Sequence, residues 1–83
     1  MILNIEKREL DHKKLGEYET LALALLSNNY CISKEEIMQY LFKFKVNDYV
    51  IEDTIRRLRH KGLRIRTKYR IGYVLDDEIY IDY

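Results

Sequence analysis

The side chains best placed to do chemistry in this chain are cations, and they crowd into one stretch. Arg56 to Arg70 holds eight of the fifteen Lys and Arg residues, and no acidic residue occurs between Thr54 and Leu75. The rest of the chain carries seven basic side chains against all fourteen acidic ones. A formal net charge of +1 thus conceals a dipolar molecule, a basic segment on a body of about −7. Such a patch attracts a polyanion, and nucleic acid is the commonest candidate. The competing explanation is a solvated charged face. Other chemistries lack their residues. There is no paired-carboxylate setting, no glycine-rich phosphate loop and no nucleophile–base spacing, so no enzyme is expected. Cys31 is the only cysteine, which excludes an internal disulfide and a zinc ribbon. Between Tyr30 and Ile32 it reads as a small buried hydrophobe. Nothing near His60 completes a metal site, and neither a cofactor nor a small-molecule substrate is expected.

Two patterns meet at Gly62. Before it, Ile51, Ile55 and Leu58 recur at the spacing of one buried helix stripe. Asp48, Glu52 and Asp53 lie early in that helix and Arg59, His60 and Lys61 in its last turn, the order the helix dipole favours. Gly62 is the natural residue just past its end. The face opposite the stripe carries Asp53, Arg56, Arg57 and His60, a composition suited to a major groove. After Gly62 the period becomes two: Leu63, Ile65 and Thr67 alternate with Arg64, Arg66 and Lys68, as in a strand with one face in the core. A turn over Tyr69 to Gly72 leads to a return strand, Tyr73-Val74-Leu75. The plainer alternative makes Arg56 and Arg57 surface partners of Glu52 and Asp53 at i, i+4.

The elements that must position this segment precede it. Met1 to Ile5 predicts a strand near 2–5, with a second short one near Arg8–Leu10, and Asp11 to Lys14 a polar connector. A helix starts near Glu17, its stripe formed by Tyr18, Leu21, Ala22, Leu25 and Leu26 and widened by Leu23 and Ala24. Ser27-Asn28-Asn29 stops it. Ser33-Lys34-Glu35-Glu36 is a capping box opening a second helix that runs to about Phe42, with Ile37, Met38, Leu41 and Phe42 inward. Lys43 to Asn47 is a loop, and Asn47 or Asp48 caps the third helix. Asp76-Asp77 forms a turn. Glu78 to Tyr83 alternates as a final strand with Ile79, Ile81 and Tyr83 on one face, either covering a sheet edge or offering one to a second copy.

The order predicts an α+β fold, a winged helix-turn-helix of three helices with a C-terminal β-hairpin wing and a short N-terminal strand or hairpin. At 83 residues one domain is expected, with 1–14 as N-terminal strand and connector, 15–62 as three-helix core, 63–75 as wing and 76–83 as C-terminal strand. Hydrophobic content of 47% without a long apolar run or signal-peptide pattern predicts a cytoplasmic protein that does not enter a membrane.

The chain resembles the DNA-binding effector domain of OmpR/PhoB-type response regulators over about Leu15 to Leu75. Leu15-Gly16-Glu17-Tyr18-Glu19 is similar to the family's Leu-Thr-x-x-Glu opening, with glycine for threonine. Ile32-Ser33-Lys34-Glu35-Glu36-Ile37 is similar to its second-helix entry, and Leu41-Phe42 matches the pair that ends that helix. Ile55 to Lys61 reproduces Ile-x-x-Leu-Arg-x-Lys, and Ile65-Arg66-Thr67 and Gly72-Tyr73 match the wing. The chain departs at Glu52-Asp53-Thr54, in its abbreviated N-terminal sheet, and at Arg70, which replaces the first wing glycine and implies a differently shaped tip. No receiver domain precedes the match, so the resemblance implies a free-standing regulator. It also implies that Lys43 to Asn47 contacts RNA polymerase.

The expected function is sequence-specific binding of double-stranded DNA in transcription regulation. Arg56, Arg57, His60, Thr54 and Asp53 are the base-edge candidates in the major groove. Arg59, Lys61, Arg64, Arg66 and Lys68 are expected on phosphates, and Tyr69 with Arg70 in the adjacent minor groove. A lone module buries little DNA surface, so a homodimer is expected at least on DNA. The alternatives are a winged-helix module that binds an acidic protein and a nonspecific or single-strand nucleic-acid binder, which the eight tyrosines favour. Abundant Ile, Lys, Tyr and Asn fit an A·T-rich coding genome such as a virus or other mobile element, in which case the location is the host cytoplasm. The DNA reading requires that the cations before and after Gly62 emerge on one side, without carboxylates of the chain neutralising most of them.

Overall fold

The computed structural model describes residues 1–41 and 47–82, which form an α+β fold of three helices and mixed strands. The chain begins with β1 (Ile2–Asn4), β2 (Glu9–Leu10) and β3 (Lys13–Lys14). Leu3 pairs with Leu10 and Leu10 with Lys13, both antiparallel. The polar connector predicted over Asp11 to Lys14 is thus a tight hairpin with its own strand. Asp11 and His12 both take positive φ (48° and 69°), as the preferred two-residue hairpin turn requires, without the glycine that usually signals it. The last strand, β6 (Tyr80–Asp82), runs parallel to β1 with Ile81 beside Leu3, giving the order β3-β2-β1-β6. Of the two roles expected for the chain's end, it takes the first within this molecule: it covers the β1 edge.

Helix α1 (Glu17–Asn28) packs against α3 (Asp48–His60) and against β5 (Gly72–Leu75). It buries Glu19, Thr20, Ala22, Leu23 and Leu26, while Tyr18, Leu21, Ala24 and Leu25 are half-buried. The expected stripe is rotated toward Leu23 because the helix is covered on more than one side. Gly16 has no side chain with which to cap, and half the usual box remains: the Gly16 amide donates to the Glu19 carboxylate at 3.2 Å.

Helix α2 (Lys34–Tyr40) is opened by the predicted box, Glu36 N donating to Ser33 Oγ at 3.0 Å and Ser33 N to Glu36 Oε1 at 3.2 Å. Its expected last residue, Phe42, and the loop from Lys43 to Val46 lie outside the described residues. Asn47 caps α3 by accepting from Val50 N at 3.1 Å. The stripe Ile51, Ile55, Leu58 is buried as predicted, joined by Thr54. At the other end Gly62 (φ 95°) closes α3: Gly62 N donates to Arg59 O and Leu63 N to Leu58 O, with Leu58 and Leu63 buried against the turn.

Strands β4 (Ile65–Lys68) and β5 form a two-stranded antiparallel hairpin. Ile65 lies in the core, whereas Thr67, expected beside it, is exposed at the rim. The hairpin docks through Ile32 and Tyr73, whose backbones exchange hydrogen bonds of 2.8 and 3.1 Å. A Cβ on Gly72 would lie 2.3 Å from Ile32 O, and its φ is 148°. Only glycine permits that approach. Leu3, Leu23, Ile32, Ile37, Leu41, Ile55 and Leu58 belong to one apolar cluster that joins the sheet, helices and hairpin.

Candidate nucleic-acid interface

The predicted site residues separate into four groups. Arg56 and Arg57 stand on the exposed face of α3, their side chains 63% and 65% accessible. Both reach Asp53: Arg57 Nε donates to Oδ2 at 2.8 Å, and Arg56 Nη2 donates to Oδ1. The Arg57 hydrogen bond, aided by that of Arg56, holds the Asp53 carboxyl below its usual range. Glu52, the i, i+4 neighbour of Arg56, instead binds Lys34 at the start of α2, at 2.7 Å. His60 is exposed on the next turn.

The second group stitches elements together. Arg59 donates Nε to Ile65 O and Nη2 to Thr67 Oγ1, both at 2.9 Å, tying the end of α3 to β4. Lys61 Nζ reaches Glu19 at 2.6 Å, and Glu19, only 6% exposed, also holds the Gly16 amide. These two cations, expected on phosphates, have structural partners.

The third group is a correction. Side chains alternate along a strand, so Ile65 and Thr67 turn toward α3 while Arg64, Arg66 and Lys68 turn to the other face. There Arg64 meets Asp77 at 3.0 Å, and Arg66 meets Asp76 through two bonds of 2.6 and 3.0 Å. Asp77 also accepts the Arg64 amide at 2.7 Å. The predicted Asp76-Asp77 turn is thus a hook that clasps the base of the hairpin, and Arg66 holds the Asp76 carboxyl below its usual range. Thr54 is also corrected. It is 4% exposed, and its hydroxyl donates to Val50 O at 2.8 Å, so it cannot reach a base.

The fourth group is the hairpin tip. Tyr69 is 79% exposed, and the Arg70 guanidinium carbon lies 5.1 Å from its ring centre. Arg70 adopts φ 61°, so it takes the left-handed conformation a glycine would have filled. Lys68 Nζ lies 5.5 Å from the ring centre of Tyr30, which is 81% exposed in the segment before α2. Tyr30 was not foreseen at this surface. Its only signal is an aromatic residue directly after Asn28-Asn29, and its contact depends on the Ile32–Tyr73 docking.

Among the described residues, five of the eight cations from Arg56 to Arg70 therefore have a carboxylate partner, supplied by Glu19, Asp53, Asp76 and Asp77. Because Arg56 and Arg57 share Asp53, the segment with those partners retains a net charge of about +4. Arg59, Lys68 and Arg70 have no carboxylate partner among the described residues. The described residues contain no cluster of three metal-ligating side chains, and no helix among them is long and apolar enough to cross a membrane. Comparison of the chain with protein-family models, with curated proteins and with solved structures gives no match.

Proposed function

We infer that the chain is a winged-helix regulator of transcription that binds double-stranded DNA, with α3 in the major groove and the tip of the β4–β5 hairpin in the adjacent minor groove. The observation that carries the reading is the pairing of two exposed cationic features. Arg56, Arg57 and His60 line the face of α3 opposite its buried stripe, and Lys68, Tyr69 and Arg70 crown the hairpin that Arg59 ties to the same helix. Arg57 and Arg56 are the base-reading candidates, and Arg70 with Tyr69 enters the minor groove, where a narrow A·T tract favours arginine. The interface is narrower than the basic segment: Asp77 and Asp76 engage Arg64 and Arg66 at the base of the hairpin, and Thr54 is in the core. A lone module buries roughly 600–1,000 Å² on DNA, so a second copy on an adjacent half-site supplies the remaining specificity.

The internal ion pairs favour one competitor, a module that binds an acidic protein segment through its hairpin tip. The arginines paired with Asp53 are about two-thirds exposed, and exposed pairs contribute little, so these pairs do not bar α3 from DNA. A mobility-shift titration on mixed genomic duplex DNA at moderate salt separates the two. With about four net charges, affinity should fall with salt at a log–log slope of roughly −4. Absence of a shift, or preference for single strands over duplex in competition, overturns the reading.

A further inference from the structure

Asp53 is a carboxylate set on the face of α3 that this account places against DNA, where its charge repels phosphate. It occupies a specific place there. Its two oxygens are taken by different arginines, Oδ2 by Arg57 Nε at 2.8 Å and Oδ1 by Arg56 Nη2. The nitrogen that each arginine uses sets what it has left. A guanidinium carries one hydrogen on Nε and two on each terminal nitrogen. Arg57, bound through Nε, keeps its distal edge, where two parallel N–H groups form the fork that fits guanine O6 and N7. Arg56 is bound through a terminal nitrogen. The Asp53 side chain is 22% exposed beside arginine side chains about two-thirds exposed, so the arginines remain open to an outside partner.

We propose that Asp53 is a specificity-determining positioning residue: it orders Arg57 so that the distal N–H pair addresses a guanine. Ordering the long side chain before binding lowers the entropy cost of the base contact. The negative charge acts in the same direction by weakening attachment to phosphates wherever the guanine is missing. This proposal rests on the duplex-DNA reading above and adds to it the base and the residue that fixes the reader.

The test uses the full chain and a pool of duplexes with a randomised core. Affinity is then measured for the enriched duplex, and for a copy in which the G·C pair protected by Arg57 is replaced by A·T. The wild-type chain should discriminate by about tenfold or more. Asp53→Asn should bind the substituted duplex at least as tightly as wild type does, yet lose most of the discrimination. Arg57→Ala should lose the same discrimination, and adding Asp53→Asn to it should cost nothing further. Asp53→Glu, which can still bridge at i, i+4, should restore part of the preference. An Asp53→Asn chain that remains folded by its amide spectrum and keeps the discrimination overturns the proposal. So do losses that add in the double variant. Duplex binding by wild type with no base preference overturns this proposal and leaves the duplex reading standing; no duplex binding at all overturns both.

Discussion

The base and the tip of the β4–β5 hairpin carry similar charge in opposite circumstances. At the base, Arg64 and Arg66 are clasped by Asp77 and Asp76, residues that follow the hairpin and fold back on it. At the tip, Lys68 lies over Tyr30 and Arg70 over Tyr69, with no carboxylate partner among the described residues. An ion pair fixes a strand; a cation over an exposed ring keeps its hydrogen bonds for an outside acceptor. A run of like charges therefore does not by itself say which of its cations are open to an outside anion; the partners of each charge decide that.

The tip must be held in place, and the largest effect is expected where it is held. Gly72→Ala forces a Cβ against the Ile32 carbonyl at φ 148° and should destabilise the fold by about 3 kcal/mol in urea titration. Gly62→Ala, at φ 95° with nothing within 4 Å of the new Cβ, should cost about 1 kcal/mol. Equal costs would show that the docking bridge does not anchor the hairpin.

Function separates base from tip next. Arg70→Ala should weaken duplex binding about tenfold, and Arg66→Ala by no more than about twofold, measured by fluorescence anisotropy at fixed salt. The reverse order would show that the base of the hairpin, not its tip, meets the duplex. Arg70→Gly sharpens the distinction further. Relief of the left-handed arginine should raise stability by about 0.5 kcal/mol in thermal melts, while affinity falls as it does for alanine. A glycine variant with unaltered affinity would remove the minor-groove role from this side chain.

The smallest effect is on pH. Asp76 and Asp53 titrate below the usual carboxylate range because Arg66 and Arg57, respectively, donate to them. A lowered folded pKa gives stability that is complete above the ordinary value near 3.9 and lost as pH falls through the folded one. These pairs should thus leave the melting temperature unchanged from pH 5 to 8 and lower it slightly below about pH 4. Arg66→Ala should remove the Asp76 share of that decline. A slope between pH 5 and 8 that disappears in this variant would contradict the assignment.

What was legible in the sequence was local. The stripe of α3, the Ser33 box and the Gly62 stop each depend on side chains within a turn or two of one another, and their spacing states the geometry. The alternation after Leu63 likewise placed β4. The clasp was not legible, because Asp76 and Asp77 are ten or more residues from the arginines they bind, and Glu19 is 42 residues from Lys61. Nothing in a charge count distinguishes a free arginine from one with a distant partner. Thr54 was misread for a related reason: at the border of a helix stripe a small hydroxyl can satisfy itself on Val50 O and enter the core. The Asp11-His12 turn was missed because it achieves positive φ without glycine.

The most direct test of the central claim is a titration of the isotopically labelled chain with duplex DNA, followed through its backbone and arginine side-chain NMR signals. The account predicts that perturbations gather at Arg56, Arg57 and His60 and at Lys68 to Ile71, with little change in β1, β2, β3 and β6 or at the clasped Arg64 and Arg66. Perturbations centred on the four-stranded sheet, or none at duplex concentrations where the chain is otherwise saturated, would contradict it.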